Sequence, residues 1–277
     1  MVQPLSCTRL ARGSTSLRGE LAVDPKESRF MAPYGRYASA DDLIREALLL
    51  ALPRLQPRKT RHGNPSAWPL ESDLATAIVK SMIELGVDSW RVGTGKRYIE
   101  HDWDPRPKGL DLYVTGESGT DLAIAAELKL EEVEQTMWDC YKLIAARKLP
   151  ASPFAFLILG AHDSTWSGRP CTELFPETPG ASQVIETVGL FQGNRKQYAA
   201  DLKYSGRMQS VPTSVRATAI LAGARATHYE RLEFRIASVE PADSTPIPCT
   251  DGWPAGVDPP TAVITPIKSG PTLTCRQ

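Results

Sequence analysis

Two apolar runs rich in β-branched and small residues, Leu110 to Val114 and Leu122 to Leu130, flank the segment Thr115-Gly116-Glu117-Ser118-Gly119-Thr120. Glycine and short polar residues between two such runs specify a strand, a tight turn and a second strand. Three charged side chains interrupt the strands: Asp111, Glu127 and Lys129. Side chains alternate faces along a strand, so Glu127 and Lys129 share one face while Leu128 and Leu130 take the other. Asp111 joins the first pair only if the connecting loop has an odd number of residues or contains a bulge. A three-residue loop, Ser118-Gly119-Thr120, meets that condition, with Gly119 free to adopt positive φ. Asp111 then stands opposite Glu127, where Cβ atoms are roughly 4.5–5.5 Å apart. Two carboxylates that close and half-buried need compensation, which a hard divalent cation and the lysine would supply.

Asp111, fifteen residues, then Glu127-Leu128-Lys129 at a strand end before a helix-like run resembles the PD-(D/E)xK nuclease superfamily. The resemblance covers roughly residues 68 to 160. It implies a restriction-endonuclease-like α/β fold, a mixed central sheet flanked by helices. It also implies that Asp111 and Glu127 bind a divalent metal, usually magnesium with manganese as a substitute, and that Lys129 orients and helps to activate the attacking water. Gly109-Leu110 precede Asp111 where the motif's name has a proline. The family's next helix often carries a glutamine and a tyrosine, and Gln135 and Tyr141 stand there, spaced more widely than an exonuclease-type Gln-x-x-x-Tyr. Gln135 lies one turn from the strand and is a candidate for orienting a ligand or water. Some proteins of this fold bring a glutamate from an N-terminal helix to the metal. Glu71 is the matching candidate, and it equally suits a first helical turn, where the dipole favours a carboxylate.

The chemistry asks for the same residue types. Phosphodiester hydrolysis spreads negative charge over phosphate oxygens, and magnesium both neutralises it and lowers the pKa of a bound water. Magnesium keeps several waters, so one or two protein carboxylates suffice. The same acids and lysine would also suit a solvated sheet face, but the remainder of Leu122 to Leu130 is apolar and fits a core strand.

At 277 residues the chain can bury a sizeable core. Lys+Arg 32 against Asp+Glu 32 leave no formal net charge, so a nucleic-acid surface would have to be a local patch. Arg54-Leu55-Gln56-Pro57-Arg58-Lys59-Thr60-Arg61-His62 is the most basic stretch, suited to phosphate contacts or to a solvated linker. The five cysteines are widely separated and form no C-x-x-C pair, so neither a zinc site nor a disulfide framework is indicated. Without an apolar leader or a long apolar run, a cytoplasmic protein that does not meet the membrane is expected.

Along the chain, residues 1–37 are expected to form a flexible N-terminal arm, 38–240 the α/β domain, and 241–277 a Pro-rich disordered tail. Helices are predicted over 38–52, with Ser39 as N-cap and Leu43, Ala47 and Leu50 on one face, and over 69–85, with Leu74, Ile78, Met82 and Leu85 on one face. A third spans 131–148, burying Met137, Tyr141, Ile144 and Ala145, with Gln135, Asp139 and Lys142 on another face. A fourth is predicted over 214–226. Strands are predicted at 90–99, 154–159 and 231–239, the strand–helix–strand step at 122–159 implying a right-handed crossover. Between 160 and 211 loops with short helices are expected. Gly93-Thr94-Gly95-Lys96 lacks the upstream glycine and the Ser/Thr of a phosphate loop. His101 to Asp104 fits a loop capped by its own aspartates.

The reading that follows is a metal-dependent nuclease acting on DNA, with Asp111, Glu127, Lys129 and Gln135 as catalytic candidates and Asp111, Glu127 and Glu71 as metal-ligand candidates. The alternative is a catalytically inert scaffold of the same fold that binds nucleic acid or protein, alone, as a homodimer or with a partner. A third reading, an unrelated α/β protein with a surface Glu-x-Lys, requires an exposed, unpaired Glu127.

Overall fold

In the computed structural model, the residues described are 34–59, 62, 66, 68–95, 98–101, 104–131, 136, 139–144, 153–167, 171–193, 210–250 and 253–257. The chain is mixed α/β, built on a large, mostly antiparallel sheet with few helices. The described residues fall within one compact unit.

Helix α1, Ala40–Ala51, starts where Ser39 accepts the Asp42 backbone N–H at 3.1 Å, with Asp41 and Asp42 in the first turn. Its buried stripe is Leu43, Ile44, Ala47, Leu48 and Ala51, whereas Leu50 faces solvent. The expected stripe was therefore rotated by part of a turn. Helix α2, Glu71–Glu84, buries Leu74, Ile78 and Met82 on one face as predicted, and Leu85 is buried just beyond it. Ahead of α1, Tyr34 to Tyr37 form a turn fixed by the Arg36 N–H donating to Leu85 O. Gly35 has φ +63, and a Cβ there would lie 2.6 Å from Leu85 O, so the turn packs closely on the end of α2. The rest of the expected arm lies outside the described residues.

The segment expected as one strand over 90–99 is split into β1, Val92–Gly93, and β2, Tyr98–His101. β2 pairs only with β3, Asp104–Gly109, so His101 and Asp104 close a hairpin rather than a loop. Gly93 lies in β1 and the Gly95 N–H donates to Leu110 O, so neither opens a phosphate loop. β4, Leu112–Thr115, and β5, Leu122–Leu130, form the central hairpin. β6, Phe154–His162, pairs with β5 in parallel, as the strand–helix–strand step requires, and its first residue Phe154 is half exposed. Between them Thr136 and residues 139–144 are helical, here α3. Next come the short helices α4, Asp163–Trp166, and α5, Cys171–Leu174, the strand β7, Ser182–Glu186, and α6, Thr187–Gly193.

Two predictions fail beyond residue 210. The helix expected over 214–226 is part of a 17-residue strand, β8, Ser210–Ala226. Alanine, leucine and arginine favour helices, but Val215, Ala217 and Ala219 are buried while Arg216 is exposed, a two-residue period. Pairing on both sides, with β7 and β9, overrides the propensity. β9, Tyr229–Thr250, runs through Pro241 to Thr250, the start of the expected disordered tail, and pairs with β8 as far as Ser210↔Pro248. Trp253 and Val257 are buried, and β10, Trp253–Pro254, folds back on β9. Residues 258–277 lie outside the described ones.

The main path through the sheet is β1-β4-β5-β6-β9-β8-β7. Alternation along the strands creates two cores. Leu112, Val114, Ile124, Ala126, Leu128, Phe156, Ile158, Phe234 and Ile236 pack with α1 and α2 on one face. On the other, Ala125, Ala155, Leu157, Leu159, Ala217 and Val239 pack with Cys140, Tyr141 and Ile144 of α3 and with Phe175 and Phe191. Fully burying each leucine, isoleucine or phenylalanine contributes about 1.5–3 kcal/mol, so the two layers clamp β5 from both sides. The charged residues of β5 lie on the α3 face.

Candidate functional site

β4 and β5 pair through Leu112↔Ala126, Tyr113↔Ala125 and Val114↔Ile124. Continued by one residue, this register sets Asp111 across from Glu127, as the sequence predicted. The means differ. Thr115 pairs with Leu122, so Ala123 is a bulged extra residue, and the Gly116 N–H donates to Asp121 O around a longer turn. A bulge plus a turn of even length gives the same parity as the expected three-residue loop. Gly119, at φ +73, still supplies the left-handed residue.

Asp111 sits just before β4, where its Oδ2 accepts the Leu128 backbone N–H at 2.9 Å. That bond anchors its carboxylate beside the end of β5. Glu127 is only 1% exposed, which rules out a surface Glu-x-Lys. Its Oε2 accepts from Lys142 Nζ at 2.6 Å, and its buried Oε1 has no hydrogen-bond partner among the described residues. Lys129 Nζ lies 3.7 Å from both Asp139 Oδ2 and Glu71 Oε2. Asp139 also faces Lys142, at 3.9 Å, and its Oδ2 accepts no hydrogen bond from a described residue.

Glu71 is brought into the site from the opposite layer. It opens α2, whose first turn lies at the end of β5, and its Oε1 accepts the Leu130 N–H at 3.2 Å. It holds the first-turn position weighed for it from sequence, and its side chain meets the end of the Glu-x-Lys strand. Gln135 lies outside the described residues. Tyr141 packs its ring against Phe191, centroids 5.4 Å apart, in the core under α3.

Asp139 and Lys142 had been placed on one polar face of the third helix without a role. Both are buried, and they complete the cluster. The available signal was the helical spacing of Gln135, Asp139 and Lys142, four and three residues apart on a face beside an apolar stripe. A helix covering a core strand must turn such a face toward something polar or toward water.

Burial, followed by the Asp139 charge, pushes Glu127 well above the usual carboxylate range against the pull of Lys142. Burial likewise raises Asp139 to about 6, although Lys129 and Lys142 oppose it. For Lys129, burial favours the neutral amine. The carboxylates of Asp139, Asp111, Glu71 and Glu127 outweigh it and hold the ammonium above the ordinary lysine range. Lys129 is therefore a cation at neutral pH, suited to orienting a water or a phosphate oxygen rather than to abstracting a proton.

Formally, the carboxylates of Glu71, Asp111, Glu127 and Asp139 against two ammonium groups leave a charge of −2. A cavity of about 310 Å³ opens on the cluster, lined by Glu71, Ser72, Ala75, Thr76, Thr94, Gly95, Asp111 and Leu128. Of the clustered carboxylates, Glu71 and Asp111 line this cavity, and carboxylate oxygens are the donors a hard divalent cation takes. No three His, Cys, Asp or Glu side chains among the described residues converge in metal-ligating geometry. No described helix is long and apolar enough to cross a membrane.

In comparisons with known proteins, no family model, no curated protein and no solved structure matches the chain.

Proposed function

We propose that the chain is a metal-dependent nuclease with a restriction-endonuclease-like fold, hydrolysing phosphodiester bonds in DNA. The observation that carries this reading is the β4–β5 register. It puts Glu127 and Lys129 on one face of β5 and ends one residue short of Asp111, whose carboxylate bonds the Leu128 amide of that strand. Asp111 and Glu127 would hold magnesium or manganese, and Glu71 is placed to bond one of its waters. The bound cation would neutralise charge on the phosphate and lower the pKa of a water. Lys129, kept charged by its carboxylate neighbours, orients the attacking water and meets a phosphate oxygen. The Leu128 amide anchors the Asp111 carboxylate beside the end of β5.

One observation favours the inert-scaffold reading. Lys142 already occupies one oxygen of Glu127 at 2.6 Å, and a permanent ion pair there would exclude a metal. Cleavage of supercoiled plasmid and of linear single- and double-stranded DNA, with magnesium or manganese, separates the two. The nuclease reading expects cutting that chelator and Lys129→Ala both abolish. No cutting by a folded protein that still binds nucleic acid would establish the scaffold instead.

A further inference from the structure

The most basic stretch of the sequence and the candidate site border two adjoining cavities along α2. The cavity at the site is lined on its α2 side by Glu71, Ser72, Ala75 and Thr76. A second cavity, of about 370 Å³, shares Thr76 and is bordered by Pro69, Asp73, Ala77 and Lys80 of the α2 side and by Arg54 to Gln56 and Arg58. Ser72, Thr76 and Lys80 are four residues apart and all exposed, so they form one row on the helix surface. At about 1.5 Å per residue, Glu71 to Lys80 spans roughly 13 Å. That length covers several phosphates of an extended strand.

The cations at the far end differ in availability. Arg54 is held by both oxygens of Glu84, at 2.6 and 2.7 Å. Arg58 reaches Asp73 only at 4.0 Å with both side chains solvated, and exposed Lys80 makes no ion pair with a described residue. Arg58 and Lys80 can thus turn to an anion without breaking a close pair. The end nearer the site carries the −2 cluster, so a polyanion enters only with a cation bound there.

Resting on the nuclease reading, we infer that the two cavities form one groove that seats the sugar-phosphate backbone of the substrate strand, with Arg58 and Lys80 contacting phosphates to one side of the scissile bond. The contacts are to backbone only, so the groove contributes affinity and direction but no sequence preference.

The test is fluorescence anisotropy of labelled single-stranded DNA, duplex DNA and RNA oligonucleotides, in calcium and across a salt series. It compares wild type, Arg58→Ala/Lys80→Ala, and Arg216→Ala, a surface control on β8. The double variant should bind at least tenfold more weakly at low salt. Its log K against log[salt] should be shallower by about 1.4–1.8, two phosphate contacts' worth. The control should match wild type. Equal affinity and salt slope in the double variant, or displacement of the oligonucleotide by polyglutamate at equal charge, would overturn the groove. Cleavage assays keep the two readings apart. Groove-dependent binding without cutting removes the nuclease and keeps the groove, whereas cutting with binding insensitive to Arg58 and Lys80 does the reverse.

Discussion

Lys142→Met removes the ammonium that faces Glu127 and leaves a stem of similar volume. At 2.6 Å and an effective dielectric near 20, that attraction is about 6 kcal/mol gross. The desolvation of both ions offsets part of it, and measured costs of breaking a buried pair by losing one partner are about 3–5 kcal/mol. Glu127 would respond by binding a proton more tightly. Losing the ammonium raises further a carboxyl already raised by burial. A carboxyl with a raised folded pKa contributes stability below its unfolded pKa and loses it as pH climbs through the folded one. The deficit of Lys142→Met should therefore be small while Glu127 is protonated and grow toward about 3 kcal/mol as pH climbs through its raised folded pKa, read by urea denaturation. Magnesium, measured by calorimetric titration, should bind the variant more tightly than wild type, because the cation no longer competes with Lys142. Glu127→Gln/Lys142→Met should recover most of the stability and bind no metal. A pH-independent deficit under about 1 kcal/mol would refute the energetic argument, and unchanged or weaker magnesium binding would refute the competition.

Asp111→Asn keeps a carbonyl oxygen that can accept the Leu128 N–H, so the fold should lose less than about 1 kcal/mol while metal affinity disappears in the same titration. With the Asp139 pKa raised to about 6, metal-free wild type should lose up to about 3 kcal/mol between pH 4 and pH 7. Asp139→Asn should lack that part of the slope in denaturation curves measured across this range, and parallel curves would contradict it. Gly160→Ala would place a Cβ 2.5 Å from Phe234 Cε1 and 2.9 Å from Leu130 Cδ2, between β6 and the end of β5. A cost of about 1–3 kcal/mol is expected, and an unchanged melting temperature would show that the site end of the sheet is looser than described.

The site was more legible in the sequence than the sheet around it. Asp111, Glu127 and Lys129 could be placed because strand period and turn parity are local, and a bulge at Ala123 has the same effect on parity as one loop residue fewer. Glu71 could be suspected because first-turn carboxylates are common, but its contact with Leu130 depends on how α2 crosses the sheet. The roles of Asp139 and Lys142 depend on α3 lying over β5, a tertiary fact. The error at 214–226 came from composition. Alanine-rich segments are helical when left alone, and here two partner strands, pairing residues up to 36 positions apart, hold the segment in a sheet. Pro241, Pro246 and Pro248 argued against a strand, yet they are accommodated near the end of the β8–β9 ribbon, where the register shifts repeatedly.

The charges on β5 are hard to explain by stability alone. Glu127 lies in a strand whose other residues pack apolar layers on both faces, and an apolar residue there would need no counter-ion. Replacing a buried ion pair with well-packed hydrophobic residues is often neutral or stabilising by 1–4 kcal/mol. Here the cost is larger, since Glu127, Asp139 and Lys142 are buried together beside Lys129, and oxygens of Glu127 and Asp139 accept no hydrogen bond from a described residue. Both acids respond by holding protons above their ordinary range. A divalent cation would replace those protons, satisfy the free oxygen of Glu127 and balance the formal −2. Cation binding should thus release protons and strengthen as pH rises from 6 to 8. A cluster retained only for structure has no reason to do so.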